Sequence, residues 1–348
     1  MARPSNAYWD RRAQQRMARY HRGSDSVIAQ ISTAYDKGQV NIEASIDRIL
    51  GKFAREGGMT VEEATKLLNE PISRREWAAI KAQYAKVRDP DIRRQLLARL
   101  NAPAYAARIT RQQALQADMY VQSKLIADAE LALSTHGYVN TINEAYYRTM
   151  FDMQRGTGLG FDFARIPTKT IQTILKRPWS GQHYSNRIWG NTDVLAAMLS
   201  EVVTGGLKSG ASLQAMRKEI EERLDVGKHA ANRLLRTETT YMANAAEMES
   251  YEEAEIERYQ FVATLDNRTS EQCQAQDLKI YNVKDAKPNV NMPPMHPYCR
   301  STTIAVIGVK EESNLMRRAR DPVTGKTSLV PASMPYPEWY KHYVERAA

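Results

Sequence analysis

Cysteine is almost absent from this chain: Cys273 and Cys299 are the two thiols in 348 residues. Two thiols cannot staple a scaffold, and in a reducing compartment both stay reduced unless a metal holds them. Long apolar runs are missing as well. No window approaches the ~18 apolar residues of a membrane span, and the opening MARPSNAYWDRR has no apolar h-region, so a cytosolic chain with no membrane span is expected. There is no internal repeat of useful length. Gly156-Thr157-Gly158-Leu159-Gly160 fits neither GxGxxG nor GxxxxGK followed by Ser or Thr, and no strand leads into it, which makes it a flexible interhelical loop and a domain boundary. No Ser/His/Asp set or pair of catalytic carboxylates can be specified, so enzymatic turnover is not expected. A nucleic-acid-binding regulator would need a recognition helix or zinc finger, and neither is visible.

What the chain does have is positive charge, and much of it lies at the start. The net charge is +9, and Arg3, Arg11, Arg12, Arg16, Arg19 and Arg22 face only Asp10 in residues 1–22. An exposed basic arm of this kind pairs with phosphates, through Arg11, Arg12, Arg16 and Arg19, unless it is the solvated or protein-facing end of a helix. As a polar terminal arm it should be removable without loss of the folded core. At 43% hydrophobic and 26% charged, the remainder can bury ordinary cores, and its length suggests about two domains.

The first half reads as helix after helix. Ser73 and Glu76 form a capping-box pattern, and Trp77, Ile80 and Tyr84 recur at helical spacing, so a helix is expected up to Val87, where Asp89-Pro90 breaks it. Further helices are expected over 92–100 and 104–133. Leu195, Met198, Leu199 and Val202 follow Asn191-Thr192 with i, i+3, i+4, i+7 spacing, and Leu213, Met216, Ile220 and Leu224 do the same behind Ser212. Gly205-Gly206 and Gly210 separate these two, and another helix over 226–249 carries Arg236 and Glu238, which point in different directions and cannot pair with each other. The expected fold is mainly α with a small α+β module near the C-terminus, a long helical N-terminal half leading into a short β-hairpin-like knot. Beyond Gly308 the chain turns polar and basic, and aromatics beside prolines over 334–340 suit docking on a partner.

The knot, over 265–303, collects the chemistry. An apolar strand over 259–265 enters the turn signal Asp266-Asn267, and a β-rich return strand runs over 301–307. Between them lie both cysteines and His296. His296-x-x-Cys299 is a short-loop ligand pair, Cys273 can supply a third ligand, and Asp266 or Asp277 a fourth, a mixed set that zinc accepts in a tetrahedron. The other reading is a reduced, packed turn with His296 bonded to backbone. A structural zinc is the one cofactor these residues suggest. Asp266, Arg268 and Arg300 can grip a phosphate, or Asp266 can cap the turn and pair with an arginine. Arg236 is a candidate partner for Asp266.

These residues resemble the minor head or head-morphogenesis proteins of tailed phages, similar to the F protein of phage Mu. The resemblance rests on Asp266-x-Arg268-Thr269, on Cys273, and on Pro293-Pro294-x-His296-Pro297-x-Cys299-Arg300. It extends to Pro178-Trp179-Ser180-Gly181 running to Arg187, and to Arg236-Thr237-Glu238-Thr239, so that it covers roughly 178–307. It implies a minor head protein acting in head morphogenesis and DNA packaging or delivery, located in the virion at the portal vertex or capsid interior. Portal, capsid and scaffold proteins would be its partners, with packaged double-stranded DNA or an acidic portal surface facing the basic arm. On this reading 1–22 is the arm, 23–160 a helical assembly region, 161–308 the family domain and 309–348 a polar tail. The rival from another class is a metal-dependent nuclease or transferase delivered with the DNA and built on the knot.

Overall fold

The computed structural model describes residues 6–50, 60–101, 109–157, 165–307, 316–320, 327–331, 334 and 338. It divides into two compact units. One comprises Met1–Ser26, Thr135–His183 and Arg233–Ala348, the other Val27–Ser134 and Tyr184–Asn232. They do not follow the linear boundaries expected at 22, 160 and 308, because helices α1 (Asn6–Leu50), α5 (Arg111–Thr157) and α8 (Leu213–Glu253) each supply residues to both.

In the second unit, local signals start the helices. Thr60 and Ser73 close reciprocal capping boxes on α2 (Val61–Asn69) and α3 (Arg74–Ala82), and a 3-10 turn, Gln83–Lys86, continues α3 towards Val87. The Asp89 carboxylate accepts from the amides of Asp91 and Ile92 at 3.0 and 3.1 Å, so α4 (Pro90–Asn101) begins where the proline was expected to break the chain. The α5 segment of this unit buries Leu115, Met119, Val121 and Ile126 together with Asp118, Gln122 and Asp128, so its polar residues must find partners inside. Gln83 and the Arg88 and Asp89 amides supply them.

Two helical glycines have a packing reason, and the first was expected to break a helix. Gly205-Gly206 lies inside α7 (Tyr184–Lys208), and Gly210, with φ +76, lies just beyond its end. A Cβ on Gly206 would sit 2.7 Å from Met216 Sδ, so the glycine permits close packing. The helices expected over 213–224 and 226–249 are one continuous α8; Gly227 lies within it, where a Cβ would meet the Tyr35 ring at 2.6 Å.

In the first unit the basic arm is a core helix. Trp9, Ala13, Met17 and Tyr20 are buried along one stripe of α1, and Arg16 is buried with them. The stripe Tyr138, Ile142, Ala145, Tyr146, Met150 and Met153 of α5 is buried in the same unit. Residues 238–248 of α8 are buried without a break, as befits a central helix. After α6 (Thr168–Lys176), the remaining structure is a three-stranded antiparallel sheet, with β1 (Arg258–Val262) between β2 (Ile280–Asn282) and β3 (Thr302–Ala305). The two expected strands pair directly, Tyr259 opposite Ala305 and Val262 opposite Thr302. Strand β2 and the short α9 (Glu271–Gln276) fill the polar stretch that the sequence left unassigned. In the tail, β4 (Met316–Arg320) pairs with β5 (Thr327–Pro331); apart from Met334 and Glu338, the aromatic-proline segment over 334–340 lies outside the described residues. So do residues 158–164, which hold most of the interhelical glycine run; Gly156 and Thr157 end α5.

Candidate functional site

Strand β1 delivers the chain into a turn organised by Asp266. Its Oδ1 accepts from the Arg268 amide at 3.0 Å and from the Thr269 hydroxyl at 3.2 Å, while Thr269 also donates to the Thr264 carbonyl. Arg300 then closes a two-pronged fork on the same carboxylate, Nη2 to Oδ1 at 2.8 Å and Nη1 to Oδ2 at 2.5 Å. Burial alone would push the Asp266 carboxyl up, but the Arg300 hydrogen bonds and charge outweigh it and hold it below its usual range. Asp266 is engaged by the turn and the fork and is not among the side chains whose ligand atoms converge here, and Asp277, the other oxygen considered, accepts from the Ala263 amide at 2.9 Å.

The sulfurs and the imidazole do come together. Ser270 caps α9 through the Cys273 amide, and the Cys299 amide donates to the His296 carbonyl at 3.2 Å, so each cysteine is placed by a local backbone bond. The two Sγ atoms lie 3.6 Å apart, and the ligand atoms of Cys273, His296 and Cys299 are all within 4.8 Å of one another. Both thiols are buried beside Phe261, Ala263 and Met295. His296 Nδ1 is 2.7 Å from the Pro297 carbonyl, a bond that orients the ring and leaves Nε2 as the nitrogen that could coordinate a metal. The Cys273 thiol, donating to Cys299 and buried, is pushed up. Cys299 goes well down, because Cys273 and then, against burial, His296 stabilise its thiolate, and His296 is raised by Cys299 in turn.

This donor set fits zinc. Bonds of ~2.3 Å to sulfur and ~2.0 Å to nitrogen in a tetrahedron separate ligand atoms by roughly 3.5–3.8 Å, so the sulfurs already stand at the required distance. Three protein ligands are present and the fourth, expected from Asp266, is not.

Helix α8 is the strut behind the knot. The Thr240 hydroxyl donates to the Cys299 carbonyl at 2.7 Å, and the Tyr298 amide donates to the Thr237 hydroxyl at 3.1 Å. Glu238 accepts from the Trp179 indole at 2.9 Å, and Trp179 stacks on Tyr241. Arg236 does not reach Asp266: it pairs with Asp25 and donates to the His21 carbonyl at 3.1 Å. Glu247, buried, accepts from Arg16 at 3.3 Å and from the Thr302 and Thr303 hydroxyls.

The arginines proposed for nucleic acid or portal are mostly occupied. Arg12 and Arg16 hold Asp152 at 2.8 and 2.6 Å, and Arg19 holds Glu144 at 2.8 Å; Arg11 alone of the four makes no ion pair among the described residues. Sequence reasoning missed Asp152 and Glu247 because their partners lie 136 and 231 residues away.

A helical chain with a small antiparallel α+β knot braced on one central helix is the class that the fold and site define. Residues 197–304 match the family described as Phage Mu protein F like protein, which supports a phage Mu F-like head protein. The match takes in α8, β1, α9, β2 and nearly all of β3. Among curated proteins, the NAD(+)--arginine ADP-ribosyltransferase EFV of Enterococcus faecalis (strain ATCC 700802 / V583) is 23% identical over 220 residues, covering 57% of this chain and 42% of that protein. The chain thus spans less than half the length of this relative. No solved structure matches it.

Proposed function

We propose that the protein is a minor head protein acting in head morphogenesis and in packaging or delivery of phage DNA, seated at the portal vertex or capsid interior beside portal, capsid and scaffold proteins. One observation carries the reading beyond the family match: Trp179, the Arg236-to-Thr240 turn of α8 and the knot, far apart in sequence, are joined by direct hydrogen bonds in one unit. They make a rigid module suited to assembly. In it Cys273, His296 and Cys299 would hold a zinc ion whose contribution is structural, tying α9 to the loop before β3. Turnover forms no part of this reading, since Asp266 and Asp277 are both engaged in holding the turn.

Head assembly from portal, capsid and scaffold proteins, with and without this chain, tests the proposal. Recovery of the chain in purified heads at low copy number is the expected result; heads that exclude it overturn it. A transferase delivered with the DNA is the second reading, raised by the name of a relative that is 23% identical and matched over 42% of its length. Labelling of arginine-bearing proteins by the purified chain in the presence of NAD+ would promote that reading.

A further inference from the structure

Five guanidinium groups converge on one cleft of the first unit. Arg11 and Arg22 come from α1, Arg236 from α8, and Arg268 and Arg300 from the knot, around a volume of about 970 Å³. Asp25 lines it and Asp266 lies behind Arg300, so five positive charges face two negative ones and a surplus of three remains. Arg236 and Arg300 are held in place by those carboxylates with donors to spare, since a guanidinium offers five N–H groups. Arg268 is 69% exposed and 3.9 Å from Asp266, and Arg11 and Arg22 are exposed and make no ion pair among the described residues. Tyr298 adds a 44% exposed ring to the rim, with its backbone at φ 59 and its amide tied to Thr237. His21 lines the wall, and its buried Nδ1 has no hydrogen-bond partner among the described residues.

We infer that this cleft is a nucleotide-phosphate site, in which the arginine forks take phosphate oxygens and Tyr298 stacks on a base. Planar forks match phosphate oxygens two at a time, and aromatic faces accept any base. The volume lies at the upper end of the ~300–1,000 Å³ of small-molecule pockets, large enough for a nucleotide. A free nucleotide and the end of a nucleic-acid strand present the same chemistry. The inference does not rest on the head assignment, and its test uses the purified chain alone.

Binding of dATP, of a 12-nucleotide single strand and of the corresponding duplex would be measured across a salt series, for the unaltered chain and for R11A/R22A, R268A and Y298A. These positions are exposed, so folding should survive, and R74A/R94A, which removes two exposed charges elsewhere, is the matched control. The expectation is that R11A/R22A reduces the log–log salt slope for the single strand by up to about 1.4, at about 0.7 per phosphate contact, while R74A/R94A leaves it unchanged. Y298A should weaken binding on the order of 10-fold. Preference for dATP assigns the site to free nucleotide, and preference for either DNA assigns it to a strand. Absence of binding to all three probes, equal losses in the control, or equally strong competition by a polyglutamate peptide would each overturn the inference.

Discussion

Asp266 shows two opposed effects at the scale of one residue. Burial favours its neutral form, the Arg300 fork favours the carboxylate, and the fork wins. Arg300→Ala should therefore strand a carboxylate whose side chain is only 5% exposed, at a loss of ~3 kcal/mol or more in unfolding free energy. Asp266→Asn, which removes the charge but keeps the shape, should lose less. The sign with pH follows from the lowered pKa. The stability Asp266 contributes is present above its ordinary value of 3.8 and is lost as pH falls through the folded value, so R300A should show a weaker acid dependence than the unaltered chain. Denaturant melts of the three proteins at pH 3 to 7 check this; an R300A melt with the unaltered midpoint and acid limb would refute it. The thiols carry a separate prediction. Purified protein should contain about one zinc per chain, and chelation should lower its melting temperature. Because Cys273 and His296 are both raised, metal uptake must displace their protons, and affinity should fall as pH falls. Metal-free protein with a melt indifferent to chelator would end the zinc reading.

The informative elements are the long helices and their glycines. Gly227 and Gly190 both lie inside helices, where alanine is the better helix former by ~1 kcal/mol. Their surroundings differ. Gly190 has nothing within 4 Å of a would-be Cβ, whereas Gly227 faces the buried Tyr35 ring, itself anchored to Glu130 at 3.2 Å. Gly190→Ala should stabilise by up to ~1 kcal/mol, and Gly227→Ala should destabilise by ~1–3 kcal/mol through overpacking. Thermal unfolding separates the two, and equal shifts would refute the packing argument. The start of α1 belongs here too. Removal of residues 1–22 takes Trp9, Met17 and Tyr20 from the core and leaves Asp152 and Glu247 buried without Arg16. The truncated chain should lose its cooperative melt, contrary to what a polar arm would allow, and a truncation that still melts cooperatively would restore the arm.

At the scale of the whole molecule, Glu130 makes stability depend on pH. Burial pushes it up to about 7, and the Tyr35 hydroxyl pulls it back only in part. The unfolded chain loses this proton near 4.5, so the stability is fully present below that pH and declines as pH rises towards about 7. At ~1.4 kcal/mol per pH unit the decline amounts to about 3 kcal/mol. Glu130→Gln keeps a group that can accept from Tyr35 and never ionises, so it should raise the melting temperature at pH 8 and leave it nearly unchanged at pH 4. Parallel pH profiles for the two proteins would show that Glu130 is not the titrating group.

The sequence by itself determined what depends on neighbours along the chain. Ser73 and Glu76 cap one helix turn three residues apart, His296 and Cys299 share one loop, and the two strands of the knot carry their own β pattern; each could be read locally. Tertiary structure decided what depends on neighbours in space. The arginines at the start look alike in sequence, yet Arg16 is buried on two carboxylates and Arg11 opens on a cleft, because helical phase against a core separates these two. Gly206 reads as a break until Met216 is placed against it, and the need for glycine at 227 is invisible until Tyr35 is in place. Asp266 had three candidate arginine partners and a candidate metal, and only the fold shows that Arg300 takes it while Asp25 takes Arg236. Pairing of this kind follows distance, and distance between residues hundreds of positions apart is set by the packing of α1, α5 and α8, which no local pattern encodes.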